Sequence, residues 1–179
     1  MLGHAGRVLR VDLGTSDIAI EQLNDDLARK YVGGSGLGTY YLSRETNPLS
    51  HPLGPENALI LLTGPFAGTR LPTSARLAVV TKSPLTGMYA ESDVGGTFGL
   101  KLKKSGFDGI IITGRAHNRC YLYVSEQGAR ILDAADLAGK DTYEVDDALK
   151  SVHGQQITVA SIGPAGENMV RYAGIMTDG

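Results

Sequence analysis

Apolar and polar residues alternate along residues 7–13 (RVLRVDL) and again along 17–23 (DIAIEQL), with Gly-Thr-Ser between the two runs. A period of two sends successive side chains to opposite faces, so the chain is expected to open on a β-hairpin with one buried face and one wet face. The pattern then changes. DDLARKYV (25–32) carries its acids first and its bases last, which suits a short helix and its dipole. GLGTYYLSRET (36–46) reads as a second helix presenting Leu37, Tyr40, Tyr41 and Arg44. Three prolines make 47–57 a loop.

Short apolar runs predict strands at 58–64, 76–82 and 87–93, followed by a helix over 95–105 that Gly106 closes. Runs at 108–114, 119–125 and 128–134 are rich in β-branched or aromatic residues and read as a meander. The clearest helix is 141–154. Asp141 or Thr142 can cap it, Glu144 suits its first turn, Val145, Leu149 and Val152 fall on one face, and Gly154 ends it. Two last strands, 156–163 and 169–176, flank the turn PAGEN. ALILLTGPFAGT (58–69) and QITVASIGPAGEN (156–168) both run from an apolar strand into Gly-Pro, a sign of a duplicated half-domain. Strands and helices in non-alternating order give an α+β fold with mixed or antiparallel sheets in two related halves and about four helices.

A length of 179 residues suits one domain, spanning 1–179. With 17 basic and 19 acidic side chains and no run of like charge, nothing in the sequence marks a nucleic-acid or anionic-membrane partner. No segment approaches the roughly 20 apolar residues needed to span a bilayer, and no secretory signal opens the chain, so a soluble cytoplasmic protein is expected. The single cysteine, Cys120, falls in an expected strand and reads as a buried or half-buried apolar residue. The 24 glycines are roughly twice the usual ~7% and sit at the ends of apolar segments, so the chain turns often and tightly.

Several residues could carry chemistry. GGSGLG (33–38) opens a helix but lacks the spacing of a dinucleotide loop and a preceding parallel strand, so it reads as turn geometry. DVGGTFG (93–99) follows a strand and starts a helix; either it is a tight corner, or its free amides face a ligand phosphate. Arg76 begins a strand facing the same region, and its planar fork suits either a phosphate or a surface salt bridge. Lys101, Lys103 and Lys104 fall at a helix C-terminus and are assigned to its dipole and solvation. Glu91 and Asp93 share a strand face, as an acidic pair or as a solvated edge. The four histidines are scattered, and no nucleophile–base set is visible.

Three stretches, PLGPENALILLTGPFAGTRLPTSARLAVVTKSPLTG, GGTFGLKLKKSGFDGIIITG and ASIGPAGENMVRYAGIMTDG, together resemble the N-terminal domain of the aldehyde ferredoxin oxidoreductase family. The resemblance implies an enzyme that carries tungsten, or molybdenum, on two pterins and oxidises aldehydes to carboxylates. Electrons then pass through a [4Fe-4S] cluster to ferredoxin. It further implies cofactor contacts by Arg76 in PTSAR and by Asp93 and Gly95 in SDVGG, with the Asp93 carbonyl helping to hold a magnesium ion between the pterin phosphates. The family often has asparagine at that position, and a carboxylate there disfavours phosphate unless the metal offsets it. Family enzymes are far longer, and their cluster cysteines and substrate-pocket segments have no counterpart in these 179 residues. The expectation is therefore a cofactor-seating part, inactive alone, that partners the remaining enzyme domains or a separate catalytic chain and admits a homodimer. The alternative is a stand-alone pterin-binding or assembly subunit, or a remnant without catalysis.

Overall fold

The computed structural model describes residues 3–178, so the first two residues and Gly179, which complete the expected span, lie outside it. Its centre is a six-stranded sheet of β1 (Arg7–Asp12), β2 (Asp17–Gln22), β3 (Leu59–Thr63), β4 (Leu77–Lys82), β5 (Tyr89–Val94) and β6 (Gly109–Thr113). The spatial order is β2-β1-β6-β3-β4-β5. Every neighbouring pair is antiparallel except β1 and β6, which run parallel from Val8 opposite Gly109 to Asp12 opposite Thr113. The apolar run GIIIT suits this central position, where both faces are covered.

Helices α1 (Asp25–Tyr31) and α2 (Gly34–Glu45) cover one face. There Val8, Leu37, Tyr41, Ile60, Leu62, Val80 and Ile111 form a core. Asn24 caps α1 by accepting from the Asp26 and Leu27 amides. Gly38 sets how closely α2 sits: a Cβ added there would lie 2.6 Å from Val80 Cγ2. The opposite face carries α3 (Phe98–Lys104) and a ribbon of β7 (Cys120–Ser125) and β8 (Gly128–Asp133). Leu9, Val11, Leu61, Leu77, Leu102, Phe107 and Ile110 are buried there, with Leu122, Val124 and Ile131 of the ribbon against them. The result is a mixed α+β fold of three layers.

Neither face of the first strand is wholly wet: Val8 packs under the helices with Arg10 half-buried beside it, while Leu9 and Val11 pack under the ribbon, and β1 lies inside the sheet with β6 on its other edge. The expected three-strand meander divides for the same reason: β6 inserts between β1 and β3, and β7 pairs only with β8. The helix expected from Gly95 begins at Phe98, since Gly96 at φ +77° cannot lie in a right-handed helix. Gly106, at φ +88°, does follow its C-terminus.

Towards the end of the chain, α4 (Thr142–His153) has the expected limits, with Asp141 and Glu144 exchanging the two bonds of a capping box and Gly154 at its end. Val145 is buried as expected, but Val152 is 72% exposed. The two expected terminal strands shrink to β9 (Ala160–Ser161) and β10 (Met176–Thr177), and PAGEN forms a fifth helix, α5 (Pro164–Glu167), started by Pro164. Both Gly-Pro segments turn alike, with the amides of Ala67 and Gly166 returning to the carbonyls of Gly64 and Gly163. Beyond these turns the two segments diverge: the first leads through a long loop to β4, the second through α5 to β10.

Two polar clusters pin the layers. Asp108 is fully buried and accepts from the amides of Ala5 (3.0 Å) and Gly6 (2.7 Å) and from Lys103 Nζ. Lys103 is thus half of a buried ion pair and not a solvated helix end, while Lys101 reaches the Gln156 carbonyl at 2.8 Å. Arg10 bonds Glu21 and Glu45 beside Tyr41, and burial together with Glu21 pushes the Tyr41 phenol up. Among the described residues no helix is long and apolar enough to cross a membrane.

Candidate functional site

At one end of the sheet, β4 and β5 reach the start of α2. Ala78 stands opposite Asp93 and Val80 opposite Glu91, so both acids lie on the α2 face of the sheet. The ladder ends with Leu77 opposite Val94, which leaves Arg76 and Gly95 just past the ends of neighbouring strands. A cleft of about 280 Å³ opens here between two walls: Gly33, Gly34 and Ser35 on one side, and Arg76, Ala78 and Asp93 on the other. Among the described residues Arg76 makes neither an ion pair nor a hydrogen bond, so its guanidinium is available to a ligand.

The α2 wall comes from GGSG, the stretch expected to supply only turn geometry. Gly33 is the N-cap of α2 and no side chain caps the helix; the Gly36 amide returns to the Gly33 carbonyl at 3.1 Å, which leaves the Gly34 and Ser35 amides to meet solvent or a ligand. Gly34 needs to be glycine, being at φ +47°. Just before it, Val32 (φ 64°, ψ −59°) centres a γ-turn closed by the Gly33 amide on the Tyr31 carbonyl at 2.7 Å. A β-branched residue is strained there. His4 Nε2 donates to the Val32 carbonyl at 2.7 Å and helps to hold the turn.

A side-chain contact joins the two walls. Ser35 Oγ donates to one oxygen of Glu91, and Tyr89 OH donates to the other at 2.7 Å. The Ser35 and Tyr89 hydroxyls hold the Glu91 carboxyl below its usual range. Burial pushes the Tyr89 phenol up, and the charges of Glu91 and Asp93 add to the rise.

The structure therefore brings Arg76 and Asp93 into one cleft, and adds Gly33, Gly34 and Ser35 to them. Gly95 is exposed nearby but does not line the cleft; a side chain there would meet nothing within 4 Å. Beyond it, Asp178 accepts from Thr97 Oγ1 at 2.8 Å and from Thr158 Oγ1, which sets a carboxylate of the chain itself beside the start of α3. The one clue to the α2 wall was GGSG at the head of a helix, which a search for dinucleotide spacing passes over.

Elsewhere the chemistry-bearing residues are structural. Cys120 is half-buried opposite Asp133, and burial followed by that charge pushes its thiol up. His153 stacks on Tyr123, with centroids 4.4 Å apart, and bonds Tyr121 OH at 3.0 Å. Among the described residues no three His, Cys, Asp or Glu side chains gather to hold a metal ion.

Comparison with known proteins identifies the family. The family described as aldehyde ferredoxin oxidoreductase, N-terminal domain, matches residues 8–179. The tungsten-containing aldehyde ferredoxin oxidoreductase of Pyrococcus furiosus is 44% identical over 180 residues, covering 100% of this chain and 30% of the relative. The aliphatic sulfonate oxidoreductase, WOR-like subunit, of the same organism is 35% identical over 99% of this chain and 31% of its own length. Among solved structures, the active site complex BamBC of benzoyl coenzyme A reductase with 1,5 dienoyl-CoA superposes with a TM-score of 0.96 at 35% identity, over 98% of this chain and 27% of that one. The chain thus spans under a third of the relatives it matches. On these matches the chain belongs to the aldehyde ferredoxin oxidoreductase family and carries its N-terminal domain.

Proposed function

We propose that this chain seats a phosphate-bearing bis-pterin cofactor of tungsten, or molybdenum, for an aldehyde ferredoxin oxidoreductase-like enzyme. The observation that carries the reading is the cleft in which the unpaired Arg76 faces the uncapped start of α2. The donor set fits such a group. Arg76 offers paired, charge-assisted hydrogen bonds to a phosphate, and the Gly34 and Ser35 amides offer the positive end of a 12-residue helix. The open space at Gly95 lets a ligand approach main chain. Asp93 is the one unfavourable group: its carboxylate repels phosphate unless a divalent cation lies between them, so magnesium, held in part by Asp93, belongs to the proposal.

When bound, the group would supply two-electron oxidation of an aldehyde to a carboxylate, with electrons leaving through a [4Fe-4S] cluster to ferredoxin. The residues of this chain bind and orient; the cluster and the substrate pocket belong to the rest of the enzyme. Residues 1–179 act as one seating domain, inactive alone, in a soluble cytoplasmic protein. A second reading, a subunit that pairs with a separately encoded catalytic chain, draws support from relatives described as a subunit and as a complex.

Calorimetric titration with magnesium pyrophosphate, a surrogate for the cofactor phosphates, tests the seat. Arg76→Ala is expected to weaken binding about tenfold or more, the worth of a charge-assisted bond. It is also expected to lower the tungsten retained by protein purified from tungstate-fed cells. Unchanged affinity and unchanged metal content would remove Arg76 from the site.

A further inference from the structure

We infer that Glu91 is a positioning residue for the cleft, holding its two walls in register through Ser35. The inference rests on the reading of the cleft as a phosphate seat. Glu91 lies on β5, on the same face and two residues before Asp93, while Ser35 lies in the first turn of α2 and lines the cleft. The bond from Ser35 Oγ to Glu91 spans 56 residues of sequence and ties the wall of Gly33, Gly34 and Ser35 to the wall of Arg76 and Asp93. The second carboxylate oxygen is taken by Tyr89 OH, which also lies 3.2 Å from Thr39 Oγ1 on the next turn of α2. Glu91 is therefore held on both oxygens by groups that fix α2 against β5.

The tether acts where no side chain caps α2 and where the residue before its N-cap is a strained valine. Main chain at Gly33 lies close to the Thr63 carbonyl and Gly38 packs against Val80, and the tether adds to these contacts the one side-chain tie between the first turn of α2 and β5 that meets Glu91. An anion in the cleft must meet the α2 amides and the Arg76 guanidinium together, and a small error in their relative placement costs affinity at both.

The test separates position from charge. Glu91 is an anion near the proposed phosphate seat, so a role as charge alone makes Glu91→Ala bind magnesium-free pyrophosphate more tightly. The tether makes it bind more weakly, by about fivefold, the net worth of roughly one hydrogen bond. Ser35→Ala, which keeps the charge, is expected to weaken binding similarly, Ser35→Thr to restore it, and the double variant to be no weaker than the worse single. Hydrogen exchange at residues 34–36 without ligand is expected to be faster in Glu91→Ala. Tighter or unchanged binding in Glu91→Ala, additive losses in the double variant, or unchanged exchange would overturn the inference. If Arg76→Ala and the parent bind pyrophosphate equally, the seat itself fails, and the positioning role fails with it.

Discussion

The Asp178 carboxylate accepts from two hydroxyls, those of Thr97 and Thr158, at a residue whose own φ is +59°. Partial burial alone would raise its pKa, but hydrogen bonding outweighs burial and holds it below its ordinary value. A carboxyl depressed in this way stabilises the fold above its unfolded pKa of about 3.9 and loses that contribution as pH falls through the lower folded value. Asp178→Asn is therefore expected to cost about 1 kcal/mol at pH 7, a charge-assisted bond discounted for solvent screening. The gap from the parent should close towards pH 3. Denaturant unfolding at the two pH values checks this, and a gap independent of pH contradicts it. Asp178 and Ser35 were hidden in the sequence because their partners lie 81 and 56 residues away. Arg76 and Asp93 were singled out by the resemblance carried in PTSAR and SDVGG, and β4 and β5 set them at neighbouring strand ends.

Packing between helix and sheet is close where α2 crosses β4. Gly38→Ala gains up to about 1 kcal/mol of helix propensity. It also drives a methyl to 2.6 Å from Val80 Cγ2, an overpacking that costs about 1–3 kcal/mol. The expected net outcome is a lower thermal midpoint, with recovery in the double variant that also carries Val80→Ala; a midpoint at or above the parent's would show that the layer yields. The same elements show what a sequence can convey. Helix α4 was legible because Asp141, Glu144 and Gly154 mark its ends locally. The run GIIIT announced a strand but could not name its neighbours, and β6 pairs with β1 and β3, far earlier in the chain, instead of with the ribbon next to it in sequence. The short β9 and β10 were overread because apolar content near Gly163 and Gly174 looked like ladder, whereas Pro164 starts a helix.

Across the whole molecule, apolar side chains remain uncovered along the last stretch of chain. Tyr172 is 84% exposed, and Ile162, Met169 and Met176 are also open to solvent, with Phe66 and Val32 exposed at the rim of the cleft. Such a surface is large for a chain working alone, and the matched relatives are more than three times as long. The isolated chain is expected to bind an apolar fluorescent dye and to self-associate in light scattering; a monodisperse monomer without dye signal contradicts this. The place of β6 governs how the sheet can be completed. The β1–β2 hairpin and the β3–β4–β5 unit can each pair within itself, but the slot between them waits for residues 109–113. On a ribosome that adds roughly 5–20 residues per second, the inner edge of β1 stays unpaired for several seconds after it emerges. The nascent protein therefore carries two open inner strand edges until one isoleucine-rich segment closes both.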